Sequence, residues 1–241
     1  MLRARTDPAA KSASEPRTRI LVSGHALTPV AAGALFWEAE STLIVADLHL
    51  EKGAAFASIG MLLPPYDTRV TLKRLAVIIK NFAPRRVVAL GDSFHRAESA
   101  ARLDPADSAA LGDLQRGREW YWVLGNHDPK LPESVGGIIC TALTVSGITL
   151  RHEPSDKVSA REIAGHLHPV ARIARRGEVI RRKCFATDGC RLVMPAFGAY
   201  TGGLNVLDAA FGSLFLQRSL EAWMLGKSEV FPIGARGLLS D

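Results

Sequence analysis

Three times in this chain an apolar run of strand character stops at polar residues able to bind a metal or move a proton. Thr42-Leu43-Ile44-Val45-Ala46 runs into Asp47-Leu48-His49, and Arg86-Val87-Val88-Ala89-Leu90 into Gly91-Asp92-Ser93-Phe94-His95. Tyr121-Trp122-Val123-Leu124 runs into Gly125-Asn126-His127-Asp128. Between the first two, Val70, Leu72, Leu75, Val77, Ile78 and Ile79 recur among Arg and Lys over about 67–81, an amphipathic helix that Pro84 ends. Between the second and third, Asp104-Pro105 supplies a cap and a first-turn proline for a helix reaching about Gly117. Strand, helix, strand in right-handed crossover makes the strands parallel and puts their polar tips on one sheet edge. An α/β layered architecture follows.

Each tip alone also suits an ordinary turn, because Gly, Asn and Asp favour turns and Asp caps helices. Their joint order argues for a site. Asp47 and His49 are two apart, so on an extended segment both side chains face one ion.

Beyond residue 130 the pattern changes to short β segments, at 137–140, 147–150, 178–180, 191–195, 204–207, 212–216 and 230–233. Earlier, Arg19–Val22 and Gly33–Trp37 read as strands joined by a proline-containing loop. The segment 147–150 leads to Arg151-His152-Glu153-Pro154, and Gly165-His166-Leu167-His168-Pro169 follows, again with two imidazoles two apart. Of the seven histidines, those at 49, 127, 152, 166 and 168 fall in these clusters. Together with Asp47, Asp92 and Asn126 they form an oxygen and nitrogen donor set without sulfur, suited to Mn, Fe or Zn rather than Ca or Mg.

Cys140, Cys184 and Cys190 are an odd number without CxxC spacing, so neither a disulfide framework nor a thiolate zinc site is indicated, and the reducing cytoplasm is the expected compartment. Residues 1–18 mix charge, Pro, Ser and Ala without an apolar core and read as a flexible arm, with one domain expected over 19–237. No apolar run approaches the roughly 20 residues of a membrane span. The formal charge of +6 suits a polyanionic partner.

The order D-x-H, G-D, G-N-H-D, H, G-H-x-H resembles the calcineurin-like metallophosphoesterase superfamily. That resemblance implies a four-layer αββα sandwich of two mixed β-sheets flanked by helices. It implies two divalent metal ions, with manganese expected first, on Asp47, His49 and His168 and on Asn126, His152 and His166, bridged by Asp92. His127 would stand beside them as proton donor, with Asp128 fixing its ring, and His95 would face a phosphodiester as in the nuclease branch. The blocks Glu51-Lys52-Gly53 and 195–203 are similar to those of PdeM-type phosphoesterases, small bacterial endonucleases of the DNA damage response associated with an ATP-dependent DNA ligase. By that likeness the substrate is single-stranded or damaged DNA. Cyclic or pyrophosphate nucleotides are the alternative substrate, and a non-catalytic interaction scaffold is a second.

A basic hairpin after His168 carries Arg172, Arg175, Arg176, Arg181, Arg182 and Lys183. Arg175, Arg176, Arg181 and Arg182 are candidates to track a nucleic-acid backbone, and Tyr200 to stack on a base or sugar. His25 has no partner cluster and reads as structural.

Overall fold

The computed structural model describes residues 18–57, 66–157, 160–215 and 218–241, so the arm expected over 1–18 lies, but for its last residue, outside them. Strand β1 (Ile20–Val22) turns at Ser23-Gly24, both at positive φ, into β2 (His25–Pro29). Two left-handed residues are what a two-residue hairpin needs to match strand twist. The proline-containing loop expected between 22 and 33 is therefore a strand, and Ser-Gly was its signal.

The chain continues through β3 (Leu35–Trp37), β4 (Thr42–Ala46), helix α1 (Lys52–Ala57), α2 (Asp67–Phe82), β5 (Arg86–Leu90), α3 (Pro105–Gln115), β6 (Glu119–Val123) and β7 (Ile138–Cys140). These seven strands form one sheet in sequence order. β4, β5, β6 and β7 run parallel, with Ala46, Leu90 and Val123 level at one edge. All five residues of β4 are buried, as befits a strand covered on both faces.

The second sheet comprises β8 (Ala142–Val145), β9 (Ile148–Arg151), β10 (Glu162–Ala164), β11 (Val170–Arg175), β12 (Glu178–Thr187), β13 (Leu192–Val193), β14 (Glu221–Leu225) and β15 (Val230–Gly234). Its order is β15-β14-β12-β13-β10-β9-β8, with β11 paired to β12. Parallel pairs β9–β10 and β10–β13 sit among antiparallel ones, so both sheets are mixed.

Three apolar clusters set the layers. One, including Trp37, Ile44, Leu90, Ile163, Phe185 and Trp223, fills the space between the sheets. A second joins the outer face of the first sheet to α2 and α3 through Leu72, Leu75, Ile78 and Leu111. The third covers the outer face of the second sheet, where Phe211 and Phe215 stand on a short helix α4 (Ala209–Gly212) and its following turn. The fourth layer is thin.

Burial on α2 corrects one detail. Val70 and Val77, expected on the core face, are 50% and 59% exposed, while Thr68 and Thr71 are buried. The core stripe follows the 3.6-residue period, which Val70 and Val77 miss. The expected strands at 204–207 and 212–216 are not formed among the described residues: Asn205 makes one bridge to Val170, and 209–212 are helical. The C-terminal residues are tied down, with Leu238 buried and the Leu239 amide donating to the Arg172 carbonyl.

Candidate metal centre

Parallel pairing delivers the tips of β4, β5 and β6 to one place, and β9 and β10 bring His152 and His166 there from the second sheet. Backbone bonds stitch the tips together. The His49 amide donates to the Asp92 carbonyl (2.9 Å), Gly165 to the His152 carbonyl (2.8 Å), and Gly198 to the Asp47 carbonyl (3.0 Å). The His166 amide reaches the Asp47 carboxylate at 3.1 Å.

Two donor groups result. Asp47, His49 and His168 form one, and Asp92, His152 and His166 the other, with Asn126 beside the second. In the first, His49 Nε2 and His168 Nε2 lie 3.4 Å apart and His168 Nε2 lies 3.3 Å from Asp47 Oδ1. In the second, Asn126 Oδ1 lies 2.9 Å from His152 Nε2 and 3.1 Å from His166 Nδ1, and the two imidazole nitrogens are 3.2 Å apart. Asp92 Oδ1 is 3.5 Å from His152 Nε2.

Donors about 2.0–2.2 Å from a common ion stand roughly 3.0–3.6 Å from each other, which is the spacing found in both groups. The donor set and its spacing fit a pair of divalent ions.

The grip differs from expectation in one respect. Asp47 and His49 are not extended: they have φ of 52° and 44°, and Asp92, His166 and His168 have 45°, 70° and 48°. Five of the seven expected ligand positions thus hold a left-handed backbone without being glycine, at roughly 1 kcal/mol or more each. The left-handed turn lets Asp47 and His49 face one point while Leu48 between them is buried. Nothing in residue spacing announces such backbone strain.

Glycine makes room at the second group. A Cβ on Gly91 would fall 2.3 Å from the His152 ring, and one on Gly125 would fall 2.2 Å from Asp92 Oδ1 and 2.3 Å from the Asp92 amide nitrogen. The glycines at 91 and 125 are a space requirement of the His152 ring and of Asp92.

Electrostatics divide the imidazoles. Burial and the facing His168 push His49 down to about 3. For His152 burial opposes the proton, but the hydrogen bond to Asp92 and the charges of Asp47 and Asp92 outweigh it and lift the group to about 9. Burial likewise works against the charge on Asp92, yet His152 and the His127 amide hold it down to about 2.

His127 is exposed over 43% of its side chain. Its Nδ1 lies 3.1 Å from the His95 carbonyl, which can only accept, so Nδ1 carries the proton and Nε2 faces Asp92 Oδ2 at 3.9 Å. Asp128 does not hold this ring, contrary to expectation. Fully buried, its carboxylate accepts four amides: Asp92 (3.0 Å) and Gly125 (2.9 Å) on Oδ1, Ser93 (2.7 Å) and Phe94 (3.1 Å) on Oδ2. It clamps two strand tips together. Burial pushes it up to about 6 against the pull of those amides.

His95 stacks between Phe56 (5.8 Å) and His127 (5.7 Å) at the edge of the site. Phe56, on α1, was not foreseen, because Glu51-Lys52-Gly53 hides the start of a helix. The basic hairpin divides. Paired residues share a face, so Arg175 and Arg182 lie on one side with Ile173 and Ile180, and Arg172, Arg181 and Lys183 on the other. Lys183 turns inward, its amine donating to Ala196 O (2.8 Å), Gly198 O (3.3 Å) and Thr201 Oγ1 (2.6 Å), and burial and nearby Arg74 push it down to about 8. Arg172 is taken up by Ser240 and Asp241, and Arg181 by the Gly203 carbonyl. One continuous four-arginine track is therefore not what the fold builds. Tyr200 is half-buried in the loop after Gly198.

Among solved structures, Pseudomonas putida nuclease MPE is similar to this chain with a TM-score of 0.69 and 29% sequence identity, over 90% of this chain and 99% of that one. The fold is that of the metallophosphoesterases. YfcE, a phosphoesterase from E. coli, is a more distant likeness, with a TM-score of 0.39 and 12% identity over 80% of this chain and 98% of that one. No family model and no curated protein matches the sequence. No helix among the described residues is long and apolar enough to cross a membrane.

Proposed function

We infer that this metallophosphoesterase-fold chain hydrolyses phosphodiester bonds in nucleic acid at a two-metal centre. The observation that carries the reading is the convergence of two N/O donor groups, from both sheets, with the Asp92 carboxylate 3.5 Å from His152 in the second and the Asp92 carbonyl bonded to the His49 amide of the first. The likeness over nearly full length to a protein named a nuclease supports it. Asp47, His49 and His168 would hold one ion, Asn126, His152 and His166 the other, and Asp92 both. Manganese is the first choice, with iron or zinc next. When bound, such a pair supplies Lewis acidity that activates water and offsets the charge of a phosphoryl group.

The chain's own residues do the rest. Asp92 offers two oxygens, one of them fixed by the His127 amide at 2.9 Å, so its orientation is set before any ligand arrives. His127 presents Nε2 to the open side while the His95 carbonyl holds Nδ1–H. Protonated at both nitrogens, it can donate at Nε2 to a departing alkoxide. His95 positions His127 through that carbonyl and the stacked ring. Asp128 positions it indirectly, by fixing the 125–128 turn against 92–94. Arg176 and Arg181 on the hairpin and Tyr200 beside it are the candidates to meet a flanking strand. A role in DNA repair and association with an ATP-dependent ligase extend the reading, on the PdeM-type likeness alone.

The test is hydrolysis of bis-p-nitrophenyl phosphate, p-nitrophenyl phosphate, cyclic nucleotides and single-stranded and duplex oligonucleotides with Mn²⁺, beside Asp92→Asn. Metal-dependent cleavage of the diester and an oligonucleotide, lost in Asp92→Asn, is the expected result. Cleavage confined to cyclic nucleotides or monoesters would overturn it.

A further inference from the structure

The outer face of the second sheet carries a groove that the metal centre does not use. It lies between the β11–β12 hairpin and the β14–β15 hairpin and has a volume of about 470 Å³. Its floor is Ile173, Ile180, Met224, Phe231 and Ile233, and its rim is cationic, from Arg175, Arg182 and Lys227. Phe231 is 49% exposed, a large uncovered ring in a position a monomer's surface does not require. Past Pro232 and Ile233 the groove continues into a wider trough of about 1230 Å³, edged by Arg218 and Arg236. Among the described residues none of these five cations lies within ion-pair distance of a carboxylate, although Glu178 is paired with Arg175 across the hairpin and Glu229 is near Lys227 in sequence.

We propose that this groove binds an acidic amphipathic peptide segment of a partner protein, aliphatic or aromatic anchors on the floor and Asp or Glu against the rim. Unpaired positive charge around an apolar floor selects an occupant with the complementary arrangement. The composition is that of an interface centre, where Phe, Met and Arg are enriched. A nucleic-acid strand fits less well: base stacking needs flat aromatic platforms, and the floor has one aromatic among branched aliphatics and methionine.

The mode of docking can also be read. The Gly226 amide donates to the Glu229 carbonyl, so pairs alternate from there: Leu225–Val230 open, Met224–Phe231 bonded, Trp223–Pro232 open. Pro232 thus removes an outward donor from the middle of the free edge of β15. Strand addition is blocked there, and the partner must lie across the side chains instead.

The experiment is selection of random 12-residue peptides displayed on phage against the full chain, with Phe231→Asp/Lys227→Glu as counter-selection bait. Recovered peptides, made synthetically and fluorescently labelled, are then titrated. The expected result is enrichment of Asp and Glu around Leu, Ile or Phe, with affinity falling at least tenfold in Arg182→Glu and in Phe231→Asp/Lys227→Glu. Lys227 and Phe231 are exposed and remote from the metal ligands in the chain, so metal-dependent diester hydrolysis unchanged in the double variant shows that it is folded. Recovery of no acidic apolar pattern, or binding indifferent to the variants, overturns the proposal. So does a labelled single-stranded oligonucleotide losing tenfold in affinity with the same variants, or self-association of the wild-type chain that they abolish.

Discussion

Asp128→Asn separates two accounts of the same residue. If Asp128 oriented the His127 ring, the amide would slow turnover and leave stability and metal affinity alone. The structure gives another outcome, because both oxygens are already occupied, each by two backbone amides. Asparagine has the same shape but one acceptor oxygen. Whichever way it turns, two hydrogen bonds are lost and two buried N–H groups face an NH₂. At about 1–3 kcal/mol for each unsatisfied buried group, the loss is about 2–6 kcal/mol. That is a large part of the roughly 5–15 kcal/mol a domain possesses. Because the clamp joins residues 92–94 to 125, the proposed ligands Asp92 and Asn126 should lose their register too. Urea unfolding of the metal-free protein and calorimetric Mn²⁺ titration read both effects. Expected are a lower midpoint at unchanged slope and a metal affinity reduced at least tenfold. A stability loss below about 1 kcal/mol, with turnover reduced to the level of His127→Ala and no further in the double mutant, would refute the clamp.

Further outcomes follow from the site and from α3. His127→Ala should retain both metals and lose about 10²–10⁴-fold in turnover, measured with a diester whose leaving group needs a proton; undiminished turnover would remove His127 from the chemistry. In the metal-free protein, His152 is raised to about 9 and Asp92 lowered to about 2. The His152 contribution is full below about 6.5 and lost as pH rises through 9, while that of Asp92 is full above about 3.8 and lost as pH falls through 2. Unfolding free energy of the metal-free protein should therefore peak between about pH 4 and 6.5 as far as this pair is concerned, and metal binding near pH 7.5 should release a proton, seen by calorimetry in buffers of different ionisation enthalpy. Gly125→Ala forces a methyl against the Asp92 backbone and should weaken metal binding at least tenfold. Gly112→Ala on α3, with open space around it, should be neutral or slightly stabilising by thermal melt.

Much of this was legible because β4, β5 and β6 are parallel strands, β4 buried throughout and the other two mostly so, whose apolar runs end abruptly at the candidate ligands. The His152 and His166–His168 blocks could be located, and that a second sheet folds back to meet the first followed from the superfamily resemblance, not from residue spacing. The failures share a cause. Asp47–His49 and His166–His168 were expected as extended pairs, and left-handed backbone at a non-glycine residue leaves no mark on composition. The sequence suggests His127, its chain neighbour, as the partner of Asp128, whereas its partners are amides 34 to 36 residues away and 3 residues away, and amides carry no sequence identity. The hairpin arginines looked like one array because the count ignores strand alternation, which sends Arg181 and Arg182 to opposite faces.

On the proposed reading, seven side chains from two sheets hold two ions with Asp92 between them. Anomalous diffraction from manganese-soaked crystals tests it directly. Two peaks are predicted, one among Asp47, His49 and His168 and one among Asn126, His152 and His166, each within coordination distance of an Asp92 oxygen. A single peak, or two with Asp92 touching only one, would rule out a shared two-metal centre.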